Sequence, residues 1–267
     1  LITKARSKSI PATVSKKRRG CHVFISFITV SKAVTKYSWL LSFPRIYAWL
    51  SAKRKSVNYE KQLYLRTIRK GDVIFDIGAN IGYYSLLFSK LCGKQGFVHC
   101  FEPVPETFQL LLDSLVNSSN TKANNFAAGD SEKSMEISYD PEDSEKATLL
   151  RESDSTNSVR MVKILPLDIY AREIQLKRLD FLKCDVEGFE LKALTGMKDT
   201  LANHLPQISL EITLPREQRF ELIDFLKSLG YDSFRKIEKG FPRYDPKQDT
   251  QIEGDYFYLH ATSSLAT

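Results

Sequence analysis

Hydrophobic positions along this chain change period several times, and each change predicts an element. Val23, Phe27, Val30, Val34, Tyr37 and Leu41 recur at spacings of four and three, the period of one helical face. Lys32 and Lys36 lie off that line, so the predicted helix is amphipathic. Pro44 ends the pattern, Lys53-Arg54-Lys55 reads as a solvated turn, and a helix is expected from Tyr59 to Ile68. From Gly71 onward short apolar runs alternate with helical stretches, the order of a parallel, doubly wound α/β sheet. Strands are expected at Val73 to Ile77, Gly96 to Phe101, Leu179 to Asp185, Gln207 to Ile212 and Asp255 to His260, with Asn124 to Ala128 closing another. Helices are expected from Ile81 to Leu91, capped by Gly93, and from Arg216 to Leu229, stopped by Gly230. A third starts at Pro105, with Phe108, Leu111, Leu112 and Leu115 on its apolar face. Residues 139–160 are polar, acidic and serine-rich, too long for an ordinary connection. They read as a substrate-side loop in preference to a disordered insertion.

At 267 residues the chain can bury one full α/β core with an extension. Its net charge of +7 conceals an asymmetry, because residues 1–70 hold seventeen Lys or Arg and one acid, leaving −9 for the remainder. The boundary is drawn between a basic arm, residues 1–58, and a domain, residues 59–267. The arm suits anionic lipid headgroups, nucleic acid or an anionic glycan, and the acidic domain suits a cationic ligand. A helix packed on the domain is the first reading of the Val23 to Leu41 stripe. A membrane-surface helix comes next, and a spanning helix last because two lysines interrupt it. No small-residue cleavage site follows the apolar part, which disfavours a signal peptide. Cys21, Cys92, Cys100 and Cys184 form no C-x-x-C pair and have no His at ligand spacing, which argues against zinc and disulfides and for a reducing, cytoplasmic setting.

The run from Asp72 to Ser85 joins a buried strand, a glycine turn and a helix start. In a dinucleotide-binding turn pyrophosphate sits on the helix N-terminus, and Asp76 would set negative charge beside it. S-adenosylmethionine reverses that logic, since its sulfonium and ammonium are cationic and it has no phosphate. Asp76 therefore favours this cofactor over a nicotinamide dinucleotide. Glu102 follows the next apolar run, where a carboxylate can grip both ribose hydroxyls. A glycine turn alone is common, and the second acid is what makes the pattern specific. Asn80 takes a position where many methyltransferases have glycine, and Asn tolerates positive φ.

Lys183-Cys-Asp-Val-Glu-Gly-Phe-Glu190 sets three carboxylates just beyond a strand end, where ligands of open α/β sheets bind. Methyl transfer to a hydroxyl needs a group that takes the proton, and Asp185 or Glu187 can do so, joined by Glu211 from the neighbouring strand. The alternative is that Asp185 and Glu187 cap the following helix while Glu190 pairs a lysine. No dedicated ligand spacing points to a metal ion.

These residues carry a resemblance to the FkbM-type methyltransferases. It rests on Phe75-Asp-Ile-Gly-Ala-Asn-Ile-Gly-Tyr-Tyr-Ser85, Phe101-Glu-Pro-Val-Pro105, Pro166-Leu-Asp168 and Asp180-Phe-Leu-Lys-Cys-Asp-Val-Glu-Gly-Phe-Glu190, followed by Leu194 and Gly196. It covers roughly residues 60–260. The resemblance implies a class I methyltransferase fold, with a seven-stranded sheet whose last strand is antiparallel. It also implies O-methylation, most often of sugars or secondary metabolites, with S-adenosylmethionine as cofactor. By position Asp76, Gly78, Asn80 and Glu102 resemble cofactor contacts, with Ala79, Gly82, Pro103 and Asn125 beside them; Asp185, Glu187 and Glu211 resemble the active-site acids. The expected acceptor is a sugar hydroxyl in a glycan, a glycolipid precursor or a metabolite, with residues 1–55 touching anionic membrane at its inner surface. An RNA methyltransferase gripping its substrate with the arm is the weaker alternative, because the acidic domain repels phosphate. A scaffold without catalysis is weaker still, given intact Asp76, Glu102 and Asp185.

Overall fold

A computed structural model of the chain describes residues 58–140, 143–148, 158–243 and 254–260. The stripe and basic clusters of residues 1–55, and Cys21, lie outside the described residues. Helix α1 (Tyr59–Thr67) starts at Asn58, whose side chain accepts the Lys61 N–H at 2.7 Å. Strand β1 (Val73–Ile77) leads through the glycine turn into α2 (Tyr83–Cys92), which ends at Gly93 as expected. Then come β2 (Phe97–Phe101), α3 (Pro105–Leu115) and β3 (Thr121–Asn124). Leu111 and Leu115 of α3 are buried, but Leu112 is 40% exposed, because the face that meets the sheet is narrower than the apolar stripe.

The predicted run Asn124 to Ala128 is not one strand. β3 ends at Asn124, and β4 (Ala127–Ala128) belongs to a second sheet with β5 (Lys133–Asp140), β6 (Asp143–Thr148) and β7 (Ser158–Leu165), in the order β4-β7-β5-β6. Within the stretch 139–160, read as a loop, the described residues 139–140, 143–148 and 158–160 are strand. Its polar composition conceals this, since β6 shows no apolar alternation. The small sheet packs Ile137 and Val162 on Val104, two residues beyond Glu102. Arg160 clamps the same sheet to α3 through Glu106 at 2.6 Å.

The chain continues through α4 (Leu167–Glu173), β8 (Phe181–Cys184), α5 (Glu190–Thr195), α6 (Lys198–His204), β9 (Gln207–Ile212), α7 (Arg216–Ser228), β10 (Ser233–Lys236) and β11 (Gly254–Leu259). The main sheet has seven strands in the order β3-β2-β1-β8-β9-β11-β10. All pairs are parallel except those of β11, which runs antiparallel to β9 and β10. This is the class I methyltransferase arrangement. One face buries Leu63, Tyr64, Phe88 and Leu111 from α1, α2 and α3; the other buries Leu194, Leu201, Leu222 and Leu226 from α5, α6 and α7. With both faces covered, the central strands are predominantly apolar, and their carboxyl ends form the open edge of the sandwich.

Candidate active site

The turn after β1 is bonded to the end of β2. The N–H groups of Gly78 and Ala79 both donate to the Phe101 carbonyl at 3.0 Å, and the Asp185 N–H donates to the Ile77 carbonyl at 3.1 Å. Gly78 has φ +78°, and a Cβ there would stand 1.8 Å from the Asp185 carbonyl oxygen, so the turn is pressed against the chain leaving β8. Asn80 adopts φ 49°, and its Oδ1 accepts the Ile81 N–H at 2.7 Å. The left-handed turn expected of this residue is present.

Glu102 is 6% exposed. Its Oε2 accepts the Asn80 N–H at 3.0 Å and its Oε1 the Val104 N–H at 2.9 Å. Burial pushes its carboxyl up to about 7, against the pull of those two N–H groups. Each oxygen keeps a lone pair for a further donor. The Asn125 amide donates to the carbonyls of Glu102 at 2.9 Å and Pro103 at 3.0 Å, stiffening the rim. The turn and the second acid, separate in sequence, thus form one bonded cradle that includes Ala79, Gly82, Pro103 and Asn125. Asp76 lies deeper, at 1% exposure. Its Oδ2 accepts the Ser85 hydroxyl at 2.6 Å, and its Oδ1 is buried without a hydrogen-bond partner.

The second set of acids stands one strand over. Register pairs Asp76 with Lys183 and Lys183 with Ser209, so the three share a face of the sheet. Two residues further along, Asp185 and Glu211 project on that same face, and Glu211 pairs with Asp255 of β11. One oxygen from each of Asp185, Glu187 and Glu211 lies within 4.8 Å of the others. Such crowding is unfavourable for three full negative charges. Two features relieve it. The adjacent Asp185 carboxyl, and burial, favour the protonated form of Glu211, and the Lys183 ammonium is 2.7 Å from Asp185 Oδ2. Burial opposes ionisation of Asp185, yet Lys183 and Glu211 beside it hold its carboxyl below the usual range. The neighbouring Asp185, then burial, pushes Glu211 up to about 9.

The helix-capping alternative for this segment is not realised. Helix α5 has Phe189 at its N-cap and no side-chain cap bond. Glu190 pairs no surface lysine; it is fully buried, and its Oε1 accepts the Gly188 N–H at 2.8 Å and the Thr213 hydroxyl at 3.3 Å. That bond braces a turn in which Glu187 takes φ 50° and Gly188 φ 95°, holding Glu187 next to Asp185.

Several members of this region escaped sequence reasoning. Lys183 is 3% exposed in a strand of otherwise apolar residues, and a lone cation in a buried parallel strand was the available signal. Tyr84 of α2 lies with its ring centroid 5.3 Å from the Lys183 nitrogen. Tyr84 and Tyr64 both donate to Glu60 of α1, and the Tyr64 hydroxyl also meets Ser209 Oγ at 3.0 Å. Nothing in the spacing of Glu60 marks it as part of a site.

Residues 76–233, more than half of the chain, match the methyltransferase FkbM domain family. The chain belongs to the FkbM methyltransferase family. Among its relatives is the hexuronic acid methyltransferase AglP of Haloferax volcanii, 30% identical over 140 residues, or 52% of this chain and 56% of AglP. Another is the 31-O-demethyl-FK506 methyltransferase FkbM of Streptomyces tacrolimicus, 24% identical over 205 residues, or 65% of this chain and 78% of that protein. The match thus spans little more than half the length of the archaeal relative. A crystal structure of methyltransferase FkbM from Methylobacillus flagellatus KT superposes with a TM-score of 0.49 at 16% identity, covering 88% of this chain and 58% of that one.

Methyltransferases of this fold use S-adenosylmethionine, and the FkbM cradle here fits it. Glu102 offers free lone pairs at the rim for ribose hydroxyls, and the Oδ1 of Asp76, a buried acceptor that no donor meets, lies behind the turn.

Proposed function

We propose that this FkbM-family protein transfers a methyl group from S-adenosylmethionine to a sugar hydroxyl. The cofactor supplies an electrophilic methyl group; the chain's own residues bind, orient and accept the proton. Glu102, with the backbone of Gly78 to Asn80, holds the nucleoside side. Glu187 and Glu211 accept hydrogen bonds from an acceptor rich in hydroxyls, and the reacting hydroxyl gives its proton to Asp185 as the new C–O bond forms. The observation that carries this reading is the ion pair of Asp185 with buried Lys183, 2.7 Å long, at the open end of the sheet. It keeps a carboxylate in its basic form at a position where a carboxyl left alone would take up a proton.

Incubating cell extract with the protein and isotopically labelled S-adenosylmethionine, followed by mass spectrometry, identifies the acceptor; labelled products lacking any sugar would overturn the assignment. With the acceptor in hand, Asp185→Asn should retain cofactor affinity and lower turnover by about 10²- to 10⁴-fold. Full turnover in that variant removes Asp185 as proton acceptor.

The acceptor class we favour is a lipid-linked or cell-surface sugar. Its support is the basic arm: Lys16 to Arg19 and Lys53 to Lys55 bracket the amphipathic stripe, and each basic residue near an anionic surface contributes about 1 kcal/mol. No helix among the described residues is long and apolar enough to cross a membrane. Full-length protein should sediment with anionic vesicles and release at high salt, and a chain starting at residue 56 should stay in solution while still melting cooperatively. Equal sedimentation of both would refute a role for the arm.

A further inference from the structure

Carboxylate oxygens of Asp185 and Glu211 lie within 4.8 Å of each other and of Glu187, a crowding that favours a proton on one of the two, and their chemical similarity leaves open which. We propose that Lys183 is a positioning residue that sends this proton to Glu211 and leaves Asp185 as the carboxylate available to the acceptor hydroxyl. The proposal rests on the reading of Asp185 as proton acceptor, and it adds the group that makes it one.

Geometry is what supports it. The Lys183 side chain is 4% exposed, while that of Asp185 is 32% exposed, so the pair is anchored from below and open above. An ammonium inside a sheet must be paired, because an uncompensated buried charge is strongly destabilising. Lys183 Nζ meets one oxygen of Asp185 at 2.7 Å, and no direct bond to Glu211 competes among the described residues. Protonating Asp185 would therefore weaken the one ion pair this ammonium makes, whereas protonating Glu211 preserves it.

The other charged and titratable groups around Lys183 come from every element packed there. Asp76 of β1 lies beside it in register, Glu60 of α1 and Asp255 of β11 add negative potential, and Tyr84 of α2 covers it. None of these is hydrogen-bonded to Lys183. The Glu60 carboxylate is instead engaged by the hydroxyls of Tyr64 and Tyr84, and Asp76 Oδ2 by Ser85. Each nearby acid with a described bond thus has a donor other than the ammonium, and Asp185 is left as its direct partner. Glu60, Tyr64 and the helix that carries them precede the family-matched segment, so the charge balance of the site extends beyond the domain that the match outlines.

The test uses NMR of full-length protein with isotopically labelled side-chain carboxyl carbons at neutral pH, which needs no acceptor. Asp185→Asn and Glu211→Gln assign the two signals by their disappearance. In the unmodified protein Asp185 should resonate as a carboxylate and Glu211 as a carboxylic acid. In Lys183→Met the Asp185 signal should move toward the acid and that of Glu211 toward the carboxylate. A purely structural lysine would lower the melting temperature on removal and leave both signals in place, which overturns the proposal. Should Lys183→Met fail to fold, the unmodified spectrum decides alone, because a protonated Asp185 beside an ionised Glu211 contradicts it. Failure of the underlying reading looks different: Asp185 would be ionised as stated, yet Asp185→Asn would still turn over.

Discussion

The two halves of the open sheet edge handle negative charge in opposite ways. On the β1–β2 side the acids are kept apart, and Glu102 has its own N–H donors, while Asp76 has the Ser85 hydroxyl. On the β8–β9–β11 side the acids are crowded, and one buried ammonium stands against them. The first design is rigid: its donors are the Asn80 N–H of the β1–α2 turn, the Val104 N–H after β2 and the Ser85 hydroxyl of α2, and a bound ligand meets a preformed surface. The second is responsive, because moving one proton or one lysine changes the charge on several groups at once. A cofactor that must be bound the same way in every cycle suits the first. A hydroxyl that must lose a proton during the reaction suits the second.

The sharpest way to break the contrast is at Gly78, where the two halves touch. An alanine Cβ would lie 1.8 Å from the Asp185 carbonyl oxygen, and the residue already has φ +78°. Overpacking and left-handed strain together should cost about 2–5 kcal/mol. Gly78→Ala should therefore lower the melting temperature and abolish cofactor binding, and it should also displace Asp185. Differential scanning calorimetry with isothermal titration checks both; a variant that still binds cofactor normally would show that the turn is not under this constraint.

A smaller effect confined to the rigid half is expected from Glu102→Ala. Loss of the bonds between a charged acceptor and ribose hydroxyls should weaken cofactor binding by about 1–3 kcal/mol. Signals from Asp185 and Glu211 should stay put. A shift in them would show the halves to be electrostatically coupled through Asp76.

How much of this was readable in the sequence follows from the same contrast. The cradle lies in two contiguous runs, and glycine, asparagine and acid occupy positions that strand–turn–helix geometry dictates, so Asp76, Gly78, Asn80 and Glu102 could be named with their neighbours. The crowded half is assembled from α1, β8, β9 and β11. Asp185, Glu187 and Glu211 were visible as acids at strand ends. Lys183 heads the acidic motif with no role legible for it, and Glu60, Tyr64, Tyr84 and Asp255 carry no local signal, because their roles exist only once the sheet brings them together. The small sheet was missed for a different reason. Strand β6 is Asp143-Ser-Glu-Lys-Ala-Thr148, with no apolar alternation to mark it, and among the described residues the buried face shows in Ala127, Ile137, Val162, Ile164 and Leu165.

The gentlest probe is pH, which should pull the stability of the fold and its affinity for cofactor in opposite directions. Burial raises Glu102 from 4.5 to about 7, and the neighbouring Asp185 with burial raises Glu211 from 4.5 to about 9. An acid raised in the folded state contributes stability that is fully present below its unfolded value and is lost as pH rises through the folded one. For Glu102 that window runs from 4.5 to about 7, and for Glu211 it extends to about 9. The ligand-free protein should thus lose part of its stability between mildly acidic and mildly alkaline pH. Cofactor binding has the reverse sign, because ribose hydroxyls donate best to an ionised Glu102 and binding must expel its proton. Affinity should fall by up to about tenfold per pH unit as pH drops below the folded value of Glu102. Calorimetry in buffers of different ionisation enthalpy would register the released proton, and Glu102→Gln should abolish that release. The stability slope above neutral pH should survive in Glu102→Gln and flatten in Glu211→Gln. If Glu102→Gln removed both effects, the rigid half would also be governing the charge of the other, and the division between them would fall.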